Sequence, residues 1–153
     1  MKDSRLFPLV FRFLGLTAFT FCVGLLWAIP SSLAATYTVD TLTDEASDSE
    51  CVVDTTLREA IDCANANSGA DTIVFGVSGT IAVTIAGFSP ITGQTDIDGN
   101  GAITIAADAS VTQVFNPTGS NVTIRGFTIT GFSQCGISIV ASNATIGGTD
   151  TTD

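Results

Sequence analysis

Asp96 and Asp98 form the tightest acidic pair in the second half of the chain. At positions i and i+2 of a strand, their carboxylates would share one face roughly 7 Å apart. Paired carboxylates hydrolyse glycosidic bonds across separations of roughly 5 to 9.5 Å, so this spacing permits acid–base chemistry. The run Asp96-Ile97-Asp98-Gly99, continued by Asn100-Gly101, is equally a favourable way to open a turn, and that structural reading is preferred. Arg125 is the sole basic residue of the same half. A calcium-dependent polysaccharide lyase could use it as the base that removes a proton beside a sugar carboxylate. The competing and favoured reading is an arginine lying over apolar surface and paired with an acid.

Asp44, Glu45, Asp48, Glu50 and Asp54 offer the oxygen ligands that Ca²⁺ takes, but not at the fixed spacing of a calcium loop. A solvated acidic loop is therefore preferred, with Ca²⁺ the sole candidate cofactor. Arg58 and Glu59 are conspicuous but have structural tasks available, Glu59 in a helix cap and Arg58 in an ion pair. Zinc, phosphate-loop, nucleophilic-triad and dinucleotide signatures are missing, and without histidine, His-dependent catalysis is excluded for this chain.

The elements that would position these residues are mostly strands. The chain is rich in Thr, Ile, Val, Ala, Gly, Ser, Asn and Asp, a palette of strands and tight turns. An Ile-centred theme recurs at Thr72–Gly76, Asp96–Gly99, Thr123–Gly126 and Thr145–Gly148, its isoleucines Ile73, Ile97, Ile124 and Ile146 separated by 24, 27 and 22 residues. Further alternating pieces start at Ile81, Ile103, Val111, Phe127 and Gly136, giving two or three short strands per period. This layout favours an all-β coiled solenoid, whose turns stack at about 4.8 Å, over a β-sandwich.

One segment, Asp54 to Asn67, breaks the pattern. Leu57, Ala60, Ile61 and Ala64 make one apolar helical stripe, Thr56 and Glu59 fit a capping box, and Asn67 with Gly69 supplies a stop. This short helix is expected to lie before the first period and cover that end of the solenoid. Cys51 and Cys63 can pair in an oxidising compartment or be two small buried residues; Cys135 is left over. The sequence ends just after a strand theme, so the chain is expected to be a fragment or to end in a frayed or partnered rung.

At the N-terminus, Lys2, Arg5 and Arg12 precede an apolar run from Phe13 to Ile29, then Pro30 and the small residues Ser31, Ser32, Ala34 and Ala35. This is the order of a secretion signal, residues 1–34, with cleavage after Ala34 the first choice and after Ala35 the second. An uncleaved anchor is the alternative. Cys22 lacks the small-residue context of a lipidated cysteine. After cleavage, Arg58 and Arg125 remain against fourteen acids, a formal charge of about −12, with no lysine. Such a surface repels nucleic acid and anionic headgroups, so neither nucleic-acid binding nor, after cleavage, membrane association is expected.

The run Leu57-Arg-Glu-Ala-Ile-Asp-Cys-Ala-Asn-Ala-Asn67, followed by Ser68 to Phe75, resembles the CSLREA-type segment that opens many secreted bacterial right-handed parallel β-helix proteins of the pectin-lyase-like fold. Tyr37–Asp40 looks like the short strand that usually precedes it. Thr55 stands where the family pattern has its cysteine, and Cys51 is similar to an upstream cysteine often present there. Ser120–Gly131 and Ser142–Thr149 look like ordinary rungs that in relatives lead into more rungs, so the resemblance implies truncation. It also implies a right-handed helix with residues 35–69 as strand, acidic loop and capping helix, and residues 70–153 as incomplete rungs.

The fold hosts lyases, hydrolases, adhesins and others, so it does not assign an activity. The expectation is a secreted or cell-surface structural or binding module with no evident catalytic site, its partner an extracellular polysaccharide or cell-surface component and its oligomeric state undetermined. The alternative is a fragment of a polysaccharide lyase or hydrolase whose active rungs lie further on. Glycan stacking on aromatics is disfavoured because Phe127 and Phe132 are expected in the core.

Overall fold

A computed structural model describes residues 33–48 and 50–147; the segment expected to be a secretion signal, apart from Leu33 and Ala34, lies outside the described residues, as do residues 49 and 148–153. The Ile-rich segments are short, alternate inward and outward side chains, and are broken by Gly and Asn, so each makes one limb of a turn rather than a hairpin. Strands β1 (Thr36–Val39), β2 (Ala70–Phe75), β3 (Gly79–Val83), β4 (Gln94–Ala107), β5 (Gln113–Phe115), β6 (Thr123–Thr130), β7 (Cys135–Ile137) and β8 (Thr145–Ile146) follow in chain order, with helix α1 (Leu57–Ala66) between β1 and β2. The main sheet runs β1-β2-β4-β6-β8, β3 adds to the second half of β4, and β5 pairs with β7 on another face. Every strand pairing is parallel, which a β-sandwich of hairpins would not give. The chain is a β-solenoid of about three turns.

The recurring isoleucines fall in register: Ile73 opposite Ile97, Ile97 opposite Ile124, Ile124 opposite Ile146. A second column runs Ile81, Ile105, Ile129. Ile73, Ile97, Ile105 and Ile124 are essentially without solvent exposure. Phe75, Phe127, Phe115 and Phe88 form a chain of ring contacts through the interior, with centroids 5.2–5.6 Å apart. Phe127 thus packs on the core as expected. Phe132, expected there too, is 36 % exposed, and Ile139 and Val140, read as strand, lie beyond β7 and are exposed.

The uneven 27-residue spacing has a local cause. Asp98 pairs with Arg125 and Ile103 with Phe127, so the four residues Gly99 to Ala102 face Gly126 alone. The extra chain loops out through Asn100 and Gly101, both at positive φ (51° and 66°). Gly126 sits at φ 72°, and a Cβ there would lie 2.6 Å from the Asn100 nitrogen. Glycine is needed on both counts.

Helix α1 begins where expected, with Thr56 as N-cap and the reciprocal Thr56–Glu59 capping box formed, and it ends at Asn67, whose N–H donates to the Cys63 carbonyl. Leu57, Ala60, Ile61 and Ala64 are buried in the common core. Its place in the chain is as expected, after the short strand β1 and the acidic loop and before the first Ile period. Because β1 pairs with β2, the helix is carried on the connection between two strands of one ladder. Gly69 does not stop the helix; it lets the backbone of Leu33 and Ala34 pass close, where a Cβ would collide. No helix among the described residues is long and apolar enough to cross a membrane.

Ile97 lies in the centre of the isoleucine column, covered by rungs on both sides, so truncation leaves a void that cannot collapse. Ile97→Ala is expected to cost about 2–5 kcal/mol, read as a lower midpoint in urea unfolding.

Candidate functional site

The outward positions of β4 and β6 bring together the three candidates Asp96, Asp98 and Arg125. Alternation places Ile97 inward and the two aspartates outward. Arg125, directly opposite Asp98, reaches both: its Nη2 lies 2.9 Å from Asp98 Oδ2 and 3.3 Å from Asp96 Oδ2, and its Nε donates to Asp98 Oδ2 at 3.0 Å. Asp98 also accepts from the Asn100 N–H at 2.8 Å, so it opens the turn as well as pairing across the rungs. Asp96 Oδ1 is buried and has no hydrogen-bond partner.

The electrostatics oppose a general-acid role for Asp98 and a base role for Arg125. Burial pushes the Asp98 carboxyl up, but the Asn100 N–H and the Arg125 guanidinium together outweigh it and hold Asp98 below its ordinary value. The hydrogen bond to Asp98 and then the charge of Asp96 raise Arg125 further. A general acid needs a raised carboxyl and a base needs a lowered guanidinium; each is moved the wrong way.

The acidic stretch is divided, Asp44 being set apart from the other four. Asp44, the first calcium candidate, turns inward: its side chain is 1 % exposed and lies 2.7 Å from Arg58 Nη2, while its other oxygen accepts from the Thr84 N–H. Arg58, 11 % exposed, also donates to the carbonyls of Ala86 and Gly87 and stacks over Phe88 at 5.2 Å. One buried ion pair therefore ties the acidic loop, the helix start and the first turn of the solenoid together. Glu45 accepts from the Thr43 hydroxyl, and Asp48 accepts from the Glu50 N–H. Glu45, Asp48, Glu50, Asp54 and the capping Glu59 line an open hollow of about 540 Å³. No group of three or more acidic or cysteine side chains among the described residues is arranged to hold a metal ion, so the calcium set Asp44, Glu45, Asp48 and Glu50 is not assembled here.

Cys51 and Cys63 are joined as a disulfide, and Cys135 is unpaired and half-buried. Beside the disulfide, Tyr37, Asp62, Ala66 and Asn67 complete a hollow of about 390 Å³. Sequence reasoning missed two of the residues that fasten the helix. Asn65 donates to the Pro90 carbonyl and accepts from both the N–H and hydroxyl of Thr92. Asp71 takes hydrogen bonds from Asn67 and Ala35. Asn65 stood out only as a polar residue beside the apolar stripe; Asp71 carried no local signal. No family, curated protein or solved structure matches this chain.

The two arginines should separate sharply on substitution. Arg58→Ala leaves Asp44 buried without its partner and is expected to cost about 3–5 kcal/mol in urea unfolding. Arg125→Ala, at a pair exposed by about a third, is expected to cost about 1 kcal/mol or less.

Acid titration gives a second test. Because Asp98 lies below its ordinary value, its stabilisation is fully present above the unfolded carboxylate value and is lost as pH falls through the lower folded one. Asp108, lowered by the Ser110 N–H and hydroxyl, titrates in the same direction and is untouched by Arg125→Ala. The acid limb of thermal stability should therefore be shallower in Arg125→Ala than in the unmodified protein; identical limbs would show that the bridge does not set it.

Proposed function

We propose that this chain is an extracellular, secreted or cell-surface β-solenoid module that binds or spaces a partner without transforming it. The observation that carries the reading is the Arg125 bridge. The charged groups with potential for chemistry on the outer face are spent on one another, neutralised across neighbouring rungs. Around them the face is made of short hydroxyl side chains in register: Thr36, Thr72, Thr123 and Thr145 in one row, broken by Asp96, and Thr80, Thr104 and Thr128 in another. Hydroxyls repeating at strand spacing suit hydrogen bonding along a neutral polyhydroxyl polymer. The acidity expected of the exported chain disfavours polyanions. Export itself is supported by the order of charged, apolar and small residues at the N-terminus.

A second reading, a polysaccharide lyase or hydrolase fragment, draws support from the convergence of Asp96, Asp98 and Arg125 on one exposed face. One experiment separates the two. The protein is incubated with neutral and acidic polysaccharides plus Ca²⁺, and unsaturated products, reducing ends and co-sedimentation with insoluble polymer are followed. Retention on a neutral polymer without product is expected. Product formation lost in Arg125→Ala would replace the module reading with the enzyme one.

A further inference from the structure

Asp71, the second residue of β2, lies on the inward face and is 3 % exposed. One of its oxygens, Oδ1, accepts from the Asn67 side-chain amide at 2.6 Å and from the backbone N–H of Ala35 at 2.9 Å. The other, Oδ2, is buried with no hydrogen-bond partner. The two cations among the described residues are engaged elsewhere, Arg58 with Asp44 and Arg125 with Asp96 and Asp98. This leaves a carboxylate buried on neutral donors alone, an arrangement that is costly without a counter-charge. Its field is felt nearby: the Tyr37 hydroxyl is pushed up by burial first and by the Asp71 charge second.

The atom closest to supplying that charge is the Ala35 nitrogen. It is held in place independently of Asp71, because the Ala35 carbonyl accepts from the Thr72 N–H at 2.9 Å and so continues the β1–β2 ladder. It is also the nitrogen of the Ala34–Ala35 bond, the first of the two cleavage positions that the small residues allow.

We propose that cleavage between Ala34 and Ala35 completes an ion-pair site, the new α-ammonium of Ala35 pairing with the buried carboxylate of Asp71. In this hydrolysis, water adds its hydroxyl to the Ala34 carbonyl carbon and a hydrogen to the Ala35 nitrogen; the amine then takes up a proton from solvent and the new carboxyl releases one. A peptide nitrogen offers Asp71 one hydrogen, whereas an ammonium offers three, enough to retain Oδ1 and reach Oδ2. Asn67, which also donates to the Leu33 carbonyl in the uncut chain, is left bonded to Asp71. Cleavage after Ala35 would remove the nitrogen concerned, so the geometry selects one position. This inference rests on the export reading and deepens it: removal of the leader becomes a step that finishes the fold.

The test exploits the lysine-free mature sequence, in which the α-amine is the sole primary amine. The full-length precursor is exported from a bacterial host, the product is purified, and its N-terminus is read by mass spectrometry. The α-amine is then labelled with an amine-reactive ester in the native state. Ala35 is expected as the first residue. Asp71→Asn, folded by circular dichroism, is expected to label at least roughly tenfold faster than the unmodified protein, the change that a one-unit fall in amine pKa produces. Equal rates on products that both begin at Ala35 overturn the ion pair while leaving export intact; a first residue other than Ala35 overturns the cleavage reading and the ion pair with it. If Asp71→Asn does not fold, wild-type protein acetylated at its α-amine under denaturing conditions and refolded takes its place. Its melting midpoint is expected to fall by roughly 4 °C or more, and an unchanged midpoint overturns the proposal.

Discussion

Parallel in-register stacking is the constraint from which the rest of this molecule follows. When each rung satisfies its backbone groups on the rung below, a position in one turn lies directly on the same position in the next, about 4.8 Å away. Inside, stacking like on like is favourable, and Ile73, Ile97 and Ile124 form a dry column without needing complementary shapes. Outside, like charges at that spacing would repel. The two aspartates of β4 are therefore tolerated because the next rung presents Arg125 at the matching position. A cation that sequence reasoning weighs as a catalytic base is better understood as the residue that makes an acidic turn stackable.

The first turn obeys the same constraint under harder conditions, because it must carry a helix and an acidic loop as well as two strands. Helix α1 meets this by burying its apolar stripe in the common core and fastening both ends. Arg58 reaches Asp44, Ala86 and Gly87 near its start, while Asn65 and Asn67 hold Thr92, Pro90 and Asp71 near its finish. The fastenings are polar and specific, which fixes the position of the helix along the solenoid axis, something an apolar stripe by itself leaves loose.

The regular parts of this architecture were legible in the sequence because they are periodic or local. The isoleucine theme has a period, and Thr56 with Glu59 is a cap written in four consecutive residues. What escaped depends on approaches between segments that share no period. Asp44 looked like a member of an acidic cluster because the chain offers Arg58 several acids to pair with and does not say that Asp44, fourteen residues before it, is the one drawn inward. Asp71 carried no signal because its donors, Ala35 and Asn67, belong to other parts of the chain. Phe132 was assigned to the core on residue type alone, yet it sits at the surface beyond the end of β6.

The disulfide has a meaning for folding order as well as for structure. Tyr37 and Ile73, partners in the first ladder, are 36 residues apart, whereas the later partners are separated by 22 to 27. Cys51 and Cys63, 12 residues apart, lie wholly within that longer connection. With the bond formed, the shortest covalent path from Tyr37 to Ile73 contracts to roughly 25 residues, and the closure entropy of the helix-bearing turn approaches that of the plain ones. An oxidised chain can thus zip rung by rung in either direction with nearly uniform steps, while a reduced chain meets its slowest closure at the turn that carries the helix.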